Sequence, residues 1–379
     1  MTATPDSLIA TQAAEMAQRA EAELEALVNI SSPSGDVEGA ERALAVCASL
    51  LPEGATIERP ACSTAGSAPD LVGTVAGTGT GRVMLLGHVD TVIGHGAHQP
   101  LRRDGRRLYG TGTVDMKGGD VLALGVARAL AQRPEAFAEL AVLMVTDEEW
   151  RTQPFVHAPR FAGYDACLCF EGGQLTESGE EGVVVRRKAA GTLKIIATGR
   201  ASHSGSAPDR GRNALLALAR IAGEVARLHD PAGPEQLSAV PTVMRSGDAF
   251  NIVPAAGELI FDLRARRLDA FDAAVEVVPS ELDEVGLQAR MERKWPGMDS
   301  AAATAQLIED ASQRLGRRIA GVARGGASDA SHFAETIALT IDGLGPRGGG
   351  AHTPEEYVLT EALRTRAEVA LALAHQALA

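Results

Sequence analysis

The sequence predicts an α/β fold: a mostly parallel sheet covered by helices, into which an α+β (ferredoxin-like) domain is inserted. Apolar runs such as Ala138–Val145 are nearly continuous, which is typical of strands covered on both faces. These runs alternate with alanine-rich helical segments, which favours parallel strands joined by helical crossovers. Near Gly182 the pattern changes to two β-α-β units, which indicates a mainly antiparallel second sheet. We therefore predict one domain from residues 1–181 and 296–379, and an inserted domain from residues 182–295.

The first part of the chain carries most of the elements predicted for the larger domain. Its first helix is rich in Ala, Glu and Leu and has Asp6 or Ser7 as a candidate N-cap. Helices are predicted at Ser7–Leu27, Glu38–Leu51 and Gly119–Ala131. Strands are predicted at Thr56–Arg59, Asp70–Val75, Arg82–Leu86, Leu108–Thr111, Ala138–Val145 and Ala166–Phe170.

The inserted domain and the return to the larger domain follow. The insertion is predicted to begin with two paired strands, Val183–Lys188 and Gly191–Gly199. Further strands are expected at Glu258–Ala265 and Gln288–Lys294, with helices at Arg210–Leu228 and Ala270–Val278. The larger domain then adds helix Ser300–Leu315, a glycine-rich turn at 325–330 that opens a short helix, strand Ile337–Ile341 and helix Glu361–Leu378.

Composition and charge limit the possible partners. A length of 379 residues with 45 % hydrophobic residues is ample for two globular domains. The net charge of −13 argues against binding to nucleic acid or to an anionic membrane surface. The net charge does not exclude an anionic small molecule as substrate, because one arginine can make the electrostatic potential inside a pocket positive. We therefore expect no nucleic-acid partner and no membrane partner.

Cysteine usage and the N-terminal residues favour a cytoplasmic location. Four cysteines are too few for a disulfide scaffold, and we expect Cys167 and Cys169 to lie in the core. The N-terminal stretch lacks the basic start and apolar stretch of a signal peptide. No run approaches the ~20 apolar residues of a membrane span.

Three apolar runs each end at a turn that presents a histidine or a carboxylate. The turns carry His88 with Asp90, then Asp115, then Glu148 with Glu149. Loops at the carboxyl ends of sheet strands are where an α/β domain displays such side chains. Nitrogen and oxygen ligands without a thiolate suit zinc or a similar divalent ion in a catalytic site.

These motifs resemble a family of dinuclear zinc hydrolases. The family includes aminoacylase, acetylornithine deacetylase, succinyl-diaminopimelate desuccinylase and bacterial glutamate carboxypeptidase. Five motifs occur in the family's order between about Leu71 and Tyr357, including Gly-Thr-Gly-Thr-Val-Asp at 110–115 and Cys-Phe-Glu-Gly-Gly at 169–173. The resemblance implies a zinc-peptidase catalytic domain, an inserted lid and dimerisation domain, and a homodimer formed through that lid.

The resemblance also implies a set of metal ligands. Asp115 would bridge two divalent metal ions, most simply Zn²⁺ with Co²⁺ or Mn²⁺ as alternatives. The remaining ligands would be His88, Glu149, Glu171 and His352. Standing alone, His88 would instead be a strand-end histidine and Asp115 a helix cap.

Two further acidic residues would complete the catalytic group. Asp90 would orient the ring of His88, because a metal-bound imidazole usually gives its other N–H to a carboxylate or carbonyl oxygen. Glu148 would be the general base. Adjacent residues point in different directions from an extended chain, so separate roles for Glu148 and Glu149 are natural.

Candidate substrate contacts lie in the inserted domain. By resemblance, His203 reaches a substrate carbonyl and stabilises the oxyanion. Asn251 and Arg264 also match the family and are candidate substrate-binding residues, with Arg293 as a further candidate. An arginine suits a substrate carboxylate, because its fork binds both oxygens at once. The alternatives are a loop histidine that caps a turn and arginines on a solvated sheet face.

The function implied is a metal-dependent hydrolase that cleaves the amide bond of a C-terminal or N-acyl amino acid. Its substrate would be a small amino-acid amide or a short peptide, and the motifs lean towards a glutamate-releasing carboxypeptidase. Alternatives are a deacylase acting on acetylornithine or succinyl-diaminopimelate, or an amidase acting on carbamoyl amino acids. A non-catalytic scaffold with the same fold is the alternative from a different class.

Overall fold

The computed structural model describes residues 6–379, which form two compact units. The first unit contains the described residues up to Arg186 together with Asp299–Ala323 and Ser328–Ala379. The second unit contains Arg187–Met298 and Arg324–Ala327. The predicted insertion, residues 182–295, therefore shares residues 187–295 with the second unit.

The helices and strands are numbered here in chain order. The helices are α1 Ser7–Val28, α2 Val37–Ser49, α3 Gly118–Ala131, α4 Ala214–Ala226, α5 Asp272–Glu276, α6 Ala301–Leu315, α7 Ala330–Phe333 and α8 Thr360–Ala377. The strands are β1 Thr56–Glu58, β2 Leu71–Ala76, β3 Arg82–His88, β4 Arg102–Asp104, β5 Arg107–Tyr109, β6 Glu139–Val145, β7 Ala166–Cys169, β8 Gln174–Leu175, β9 Glu181–Arg187, β10 Ala189–Thr198, β11 Ser238–Ser246, β12 Ala256–Ala265, β13 Glu281–Leu282, β14 Val285–Trp295, β15 Met298–Asp299, β16 Ile319–Arg324, β17 Leu339–Ile341, β18 Gly348–Gly349 and β19 Tyr357–Leu359.

A six-stranded sheet organises the first unit, in the order β1-β2-β6-β3-β7-β17. The four strands from β6 to β17 run parallel, whereas β1 and β2 pair antiparallel at one edge. The predicted mostly parallel α/β sheet is therefore confirmed. Strands β3 and β6 are buried along almost their whole length, as their continuous apolar runs predict.

The core of the first unit is built from small and branched aliphatic residues. Helix α3 is buried on almost every side, and α8 buries Ala and Leu side chains along most of its length. Cys47, Cys167 and Cys169 are buried in the first unit as free thiols. A chain with 3 % aromatic residues thus fills its interior with Ala, Val and Leu.

The predicted pairing of Val183–Lys188 with Gly191–Gly199 was wrong. The strands exist as β9 and β10, but β9 belongs to a small sheet with β15 and β16, and β10 belongs to the sheet of the second unit. Lys188 alone separates the two strands, and a hairpin needs a loop of at least two residues. The chain therefore runs on from one sheet into another instead of turning back.

The second unit has a five-stranded antiparallel sheet in the order β11-β12-β10-β14-β13. Its elements follow the sequence β10-α4-β11-β12-α5-β14, which is the ferredoxin-like arrangement predicted from the two β-α-β units. Helix α4 begins four residues later than predicted, because Asn213 caps it through a hydrogen bond from the N–H of Leu216. Strand β11 was missed, because this edge strand is mostly exposed and contains Pro241.

Within residues 6–379, none of the helices combines the length and apolar character needed to cross a membrane.

Candidate metal centre

Three neighbouring parallel strands end at one edge of the main sheet, and each delivers candidate ligands. Strand β3 lies between β6 and β7, so the carboxyl ends of all three are adjacent. Strand β3 ends at His88, Glu148 and Glu149 follow β6, and Glu171 follows β7. Open α/β sheets bind ligands at such an edge.

Asp115 lies between two histidines, and each of its carboxylate oxygens faces a different one. Its Oδ1 is 3.3 Å from His88 Nε2, and its Oδ2 is 3.1 Å from His352 Nε2. Glu171 Oε1 is 3.7 Å from His88 Nε2, whereas Glu149 Oε1 is 3.2 Å from His352 Nε2. The residues therefore form two groups of three that share Asp115, as expected of a carboxylate that bridges two cations.

The spacing within these groups fits divalent metal ions. Tetrahedral zinc with nitrogen and oxygen ligands at about 2.0–2.2 Å holds its ligands roughly 3.3–3.6 Å apart. Across the two groups, ligand atoms of His88, Asp115 and Glu149 all lie within 4.8 Å of one another. His88 Nε2 and Glu149 Oε1 are buried, and within residues 6–379 their contacts with Asp115 and His352 do not meet the geometry of a hydrogen bond. Buried polar atoms normally have a partner, and a cation satisfies both.

The electrostatics of the centre also favour cations. Burial raises the pKa of Glu148 well above its ordinary value, and the charges of nearby carboxylates raise it further. Burial likewise raises the pKa of Glu149. The carboxylates of Asp115 and Glu149 raise the pKa of His352 to about 10. Bound positive charge relieves such an excess of negative charge.

Asp90 holds more of the site than the sequence indicated. His88 Nδ1 lies 3.1 Å from the Asp90 carbonyl oxygen and 3.3 Å from Asp90 Oδ1. The Asp90 carboxylate also accepts the backbone N–H groups of Glu148, at 3.1 Å, and Glu149, at 3.2 Å. Ser34, in a loop that sequence reasoning left open as a plain turn, donates its hydroxyl to Asp90 Oδ2 at 2.6 Å. One buried carboxylate thus aligns a histidine and both glutamates.

Sequence reasoning missed Glu356, which holds the Asp115 loop. Its buried carboxylate accepts the backbone N–H groups of Gly112, Val114 and Asp115 at 2.8–2.9 Å. Burial raises the pKa of Glu356 to about 7. The preceding Glu355 is exposed, and the pattern contains no signal that separates these two adjacent acids.

The second unit brings His203 beside Asn251. The N–H of Ser204 donates to the Asn251 carbonyl at 3.0 Å, and His203 pairs with Ile252 through an isolated bridge. His203 Nδ1 accepts the backbone N–H groups of Gly205 and Ser206, both at 3.1 Å. A neutral imidazole with an accepting Nδ1 carries its proton on Nε2, so that atom is a hydrogen-bond donor.

The two candidate arginines of the second unit already have contacts. Arg264 donates to both oxygens of Asp262 at 3.0 Å and is partly buried on β12. The guanidinium carbon of Arg293 lies 4.6 Å from the ring centroid of Trp295. Both arrangements hold a guanidinium in a fixed plane.

Comparison with known proteins identifies the family. The profile of the family described as "Peptidase family M20/M25/M40" matches residues 84–376, which include all five candidate metal ligands. The chain belongs to peptidase family M20/M25/M40. The resemblance recognised in the sequence is therefore confirmed, and with it the prediction of a metal-dependent hydrolase.

Curated relatives of this M20 chain include peptidases and deacylases. It is 29 % identical to carboxypeptidase G2 of Pseudomonas sp. (strain RS-16), over 92 % of this chain and 87 % of that protein. It is 27 % identical to succinyl-diaminopimelate desuccinylase of Halorhodospira halophila, over 72 % of this chain and 77 % of that protein.

Solved M20 structures share the fold. The M20 metallo-carboxypeptidase Sso-CP2 from Sulfolobus solfataricus superposes with a TM-score of 0.71 at 14 % identity, covering 95 % of this chain and 99 % of that one. A dinuclear metal binding peptidase from Bacillus subtilis superposes with a TM-score of 0.69 at 15 % identity, covering 96 % and 99 %. M20 enzymes thus include dinuclear metal binding peptidases.

Proposed function

We propose that this M20 enzyme is a two-zinc carboxypeptidase that releases a C-terminal amino acid, with glutamate as the leading candidate. The observation that carries the proposal is the Asp115 carboxylate, whose two oxygens face separate histidines, each with its own glutamate. The 29 % identity to carboxypeptidase G2 over 92 % of the chain supports the choice of substrate class.

Each proposed catalytic residue has a task that follows from its place. His88 and Glu171 would hold one metal ion, His352 and Glu149 would hold the other, and Asp115 would be shared. When bound, the ions polarise the scissile carbonyl and lower the pKa of a water molecule. Glu148 takes the proton from the attacking water and passes it to the leaving nitrogen, which departs as an amine.

The second unit supplies the proposed substrate contacts. His203 donates its Nε2–H to the oxyanion that forms when water attacks the carbonyl. Asn251, held beside it, is a second polar contact for the substrate. Arg264 binds the free carboxylate of the substrate, and Arg293 is the alternative for that task.

A substrate panel on the zinc-loaded enzyme tests the activity. It contains acyl-glutamates, dipeptides, acetylornithine, succinyl-diaminopimelate and carbamoyl amino acids. We expect acyl-glutamates and glutamate-ending peptides to react fastest. A clear preference for succinyl-diaminopimelate would favour the deacylase, for which the 27 % identity to a desuccinylase is the supporting observation.

Arg264→Lys should lower kcat/KM roughly 10- to 100-fold for acids, as expected for the loss of a charge-assisted hydrogen bond. Lysine keeps the charge but not the fork that binds two oxygens at once. The matching C-terminal amides should lose much less, because they offer no carboxylate. Kinetics on acid and amide pairs measure the difference, with Arg293→Lys as the matched variant. Equal losses on both substrates would make Arg264 a structural residue that anchors Asp262.

We further propose a homodimer formed through the second unit. Strand β11 is an edge strand with Val240 and Met244 about 40 % exposed, and α4 exposes Leu216. Sedimentation at micromolar concentration should give twice the chain mass, and a charged Val240→Lys variant should shift it to the monomer. A wild-type monomer with full activity would contradict the dimer.

A cytoplasmic location is proposed too, because four cysteines in 379 residues are too few for the disulfide scaffold of a secreted protein.

A further inference from the structure

A fully buried arginine lies two residues beyond Glu149. The side chain of Arg151 is 0 % exposed, which is rare for arginine unless it is paired. Its Nη1 donates to Asp147 Oδ1 at 2.9 Å, and its guanidinium also forms an ion pair with Asp329. Both carboxylates are buried as well, so the three charges lie together inside the first unit.

The two carboxylates belong to segments that border the general base. Asp147 directly precedes Glu148, and its second oxygen accepts the N–H of Thr64 at 2.7 Å. Asp329 stands immediately before α7, far along the chain, and its ion pair with Arg151 joins it to the segment that contains Glu148. Arg151 therefore links Asp147, the residue before Glu148, to the segment before α7.

An aromatic group fixes the plane of the guanidinium. The guanidinium carbon of Arg151 lies 4.7 Å from the ring centroid of Phe155. The Phe155 ring stacks on His332 at 4.9 Å and meets Phe333 edge-on at 5.4 Å. Phe155 thus limits how the guanidinium can turn, and His332 and Phe333 in turn pack against Phe155.

Stability alone does not account for such a group. Taking three charges out of water costs several kcal/mol per ion, and apolar replacements of a whole buried group are often neutral or stabilising. The group has a geometric effect that apolar residues would lack. A forked, planar cation holds two carboxylates at a fixed angle, and an apolar side chain does not.

We propose that Arg151 is a positioning residue for hydrolysis: by holding Asp147 against Asp329, it fixes the Glu148–Glu149 segment against the metal centre. Glu148 then stays within reach of the attacking water while Glu149 stays on its metal ion. The proposal rests on the proposed function for the role of Glu148. Its effect on Glu149 is measurable without any substrate.

Two variants of the full chain test the proposal. Arg151→Lys keeps the charge but loses the fork, and the triple variant Asp147→Asn/Arg151→Met/Asp329→Asn removes all three charges together, so that no carboxylate is left buried and unpaired. Arg128→Met is the matched control, because Arg128 is a partly buried arginine of α3 that binds both oxygens of Glu23. The measurements are kcat, KM, Tm, and zinc affinity at each of the two sites by chelator competition.

Replacing a residue that orients a metal ligand typically lowers activity or metal affinity by roughly 10- to 100-fold. We expect Arg151→Lys to lower kcat about 10-fold and the triple variant about 100-fold, with KM within twofold. Both variants should weaken zinc binding at one site and leave the other unchanged. Arg128→Met should lower Tm and leave kcat and both zinc affinities as they are.

Variants that fold and retain wild-type kcat and zinc affinity would overturn the proposal. Losses that merely follow the folded fraction would do the same. If wild type turns over no compound in the panel, the proposed function fails, and the zinc affinity of the Arg151 variants still decides whether Arg151 positions Glu149.

Discussion

Replacing Glu148 by glutamine should cost about 10²- to 10⁴-fold in kcat, the usual contribution of a general base, while both metal ions stay bound. Glutamine keeps the shape of the side chain but cannot accept a proton from water at neutral pH. Glu148 is buried beside the centre, and its backbone N–H is fixed by Asp90, so the substitution disturbs little else. Metal content and kcat on the best panel substrate measure the effect.

Glu149→Gln is the matched control, one residue away in the same turn. Because Glu149 Oε1 faces His352 Nε2 at 3.2 Å, this variant should lose metal at one site and lose activity with it. Near-normal turnover in Glu148→Gln would refute its role as base. Loss of metal in Glu148→Gln would exchange the roles of the two residues.

Asp115→Ala should empty both metal sites, because each oxygen of Asp115 serves a different site. The loss has two parts: a ligand disappears from each ion, and so does the anion that lies between two cations. Two unit charges of opposite sign, about 4 Å apart at an effective dielectric constant of 20, attract each other by about 4 kcal/mol. That corresponds to roughly a 10³-fold weaker affinity. Zinc stoichiometry at low micromolar metal should fall from two per chain to none.

Variants at the unshared ligands separate a bridge from a simple ligand. Glu171→Gln should weaken the site of His88, and Glu149→Gln the site of His352, each leaving about one zinc per chain. If Asp115→Ala also retains one tightly bound zinc, Asp115 belongs to a single site, and the two groups described here do not share it.

Sequence reasoning could place those candidate residues whose position follows from a strand. His88, Glu149 and Glu171 come directly after apolar runs, and parallel neighbours place their ends side by side. The ligand roles of all five residues, Asp115 and His352 included, were implied by motif resemblance and stay predictions. The order of the strands depends on pairing between distant segments, which the periodicity of the sequence does not encode. For the same reason, the sequence did not show that the strands before and after Lys188 belong to different sheets.

The supporting residues could not be predicted, because their importance comes from burial. Glu356 and Glu355 are equivalent in the sequence, yet folding buries one and exposes the other. Arg151 and Asp329 are far apart in the chain and pair only after α7 packs in the first unit. Such groups leave no periodic signal, since each is a single polar residue in an irregular loop.

The short stretch from His352 to Glu356 contributes to the metal centre both a candidate ligand and a residue that holds the Asp115 loop. His352 faces both Asp115 and Glu149, and four residues later Glu356 holds the backbone of the Asp115 loop. Ordering this stretch and filling the centre are therefore one linked equilibrium, in which each favours the other by mass action. A preparation treated with a strong chelator should become easier to cleave by protease at 350–356, and added zinc should restore its resistance. Zinc supply would then govern how long the enzyme survives as well as how fast it works.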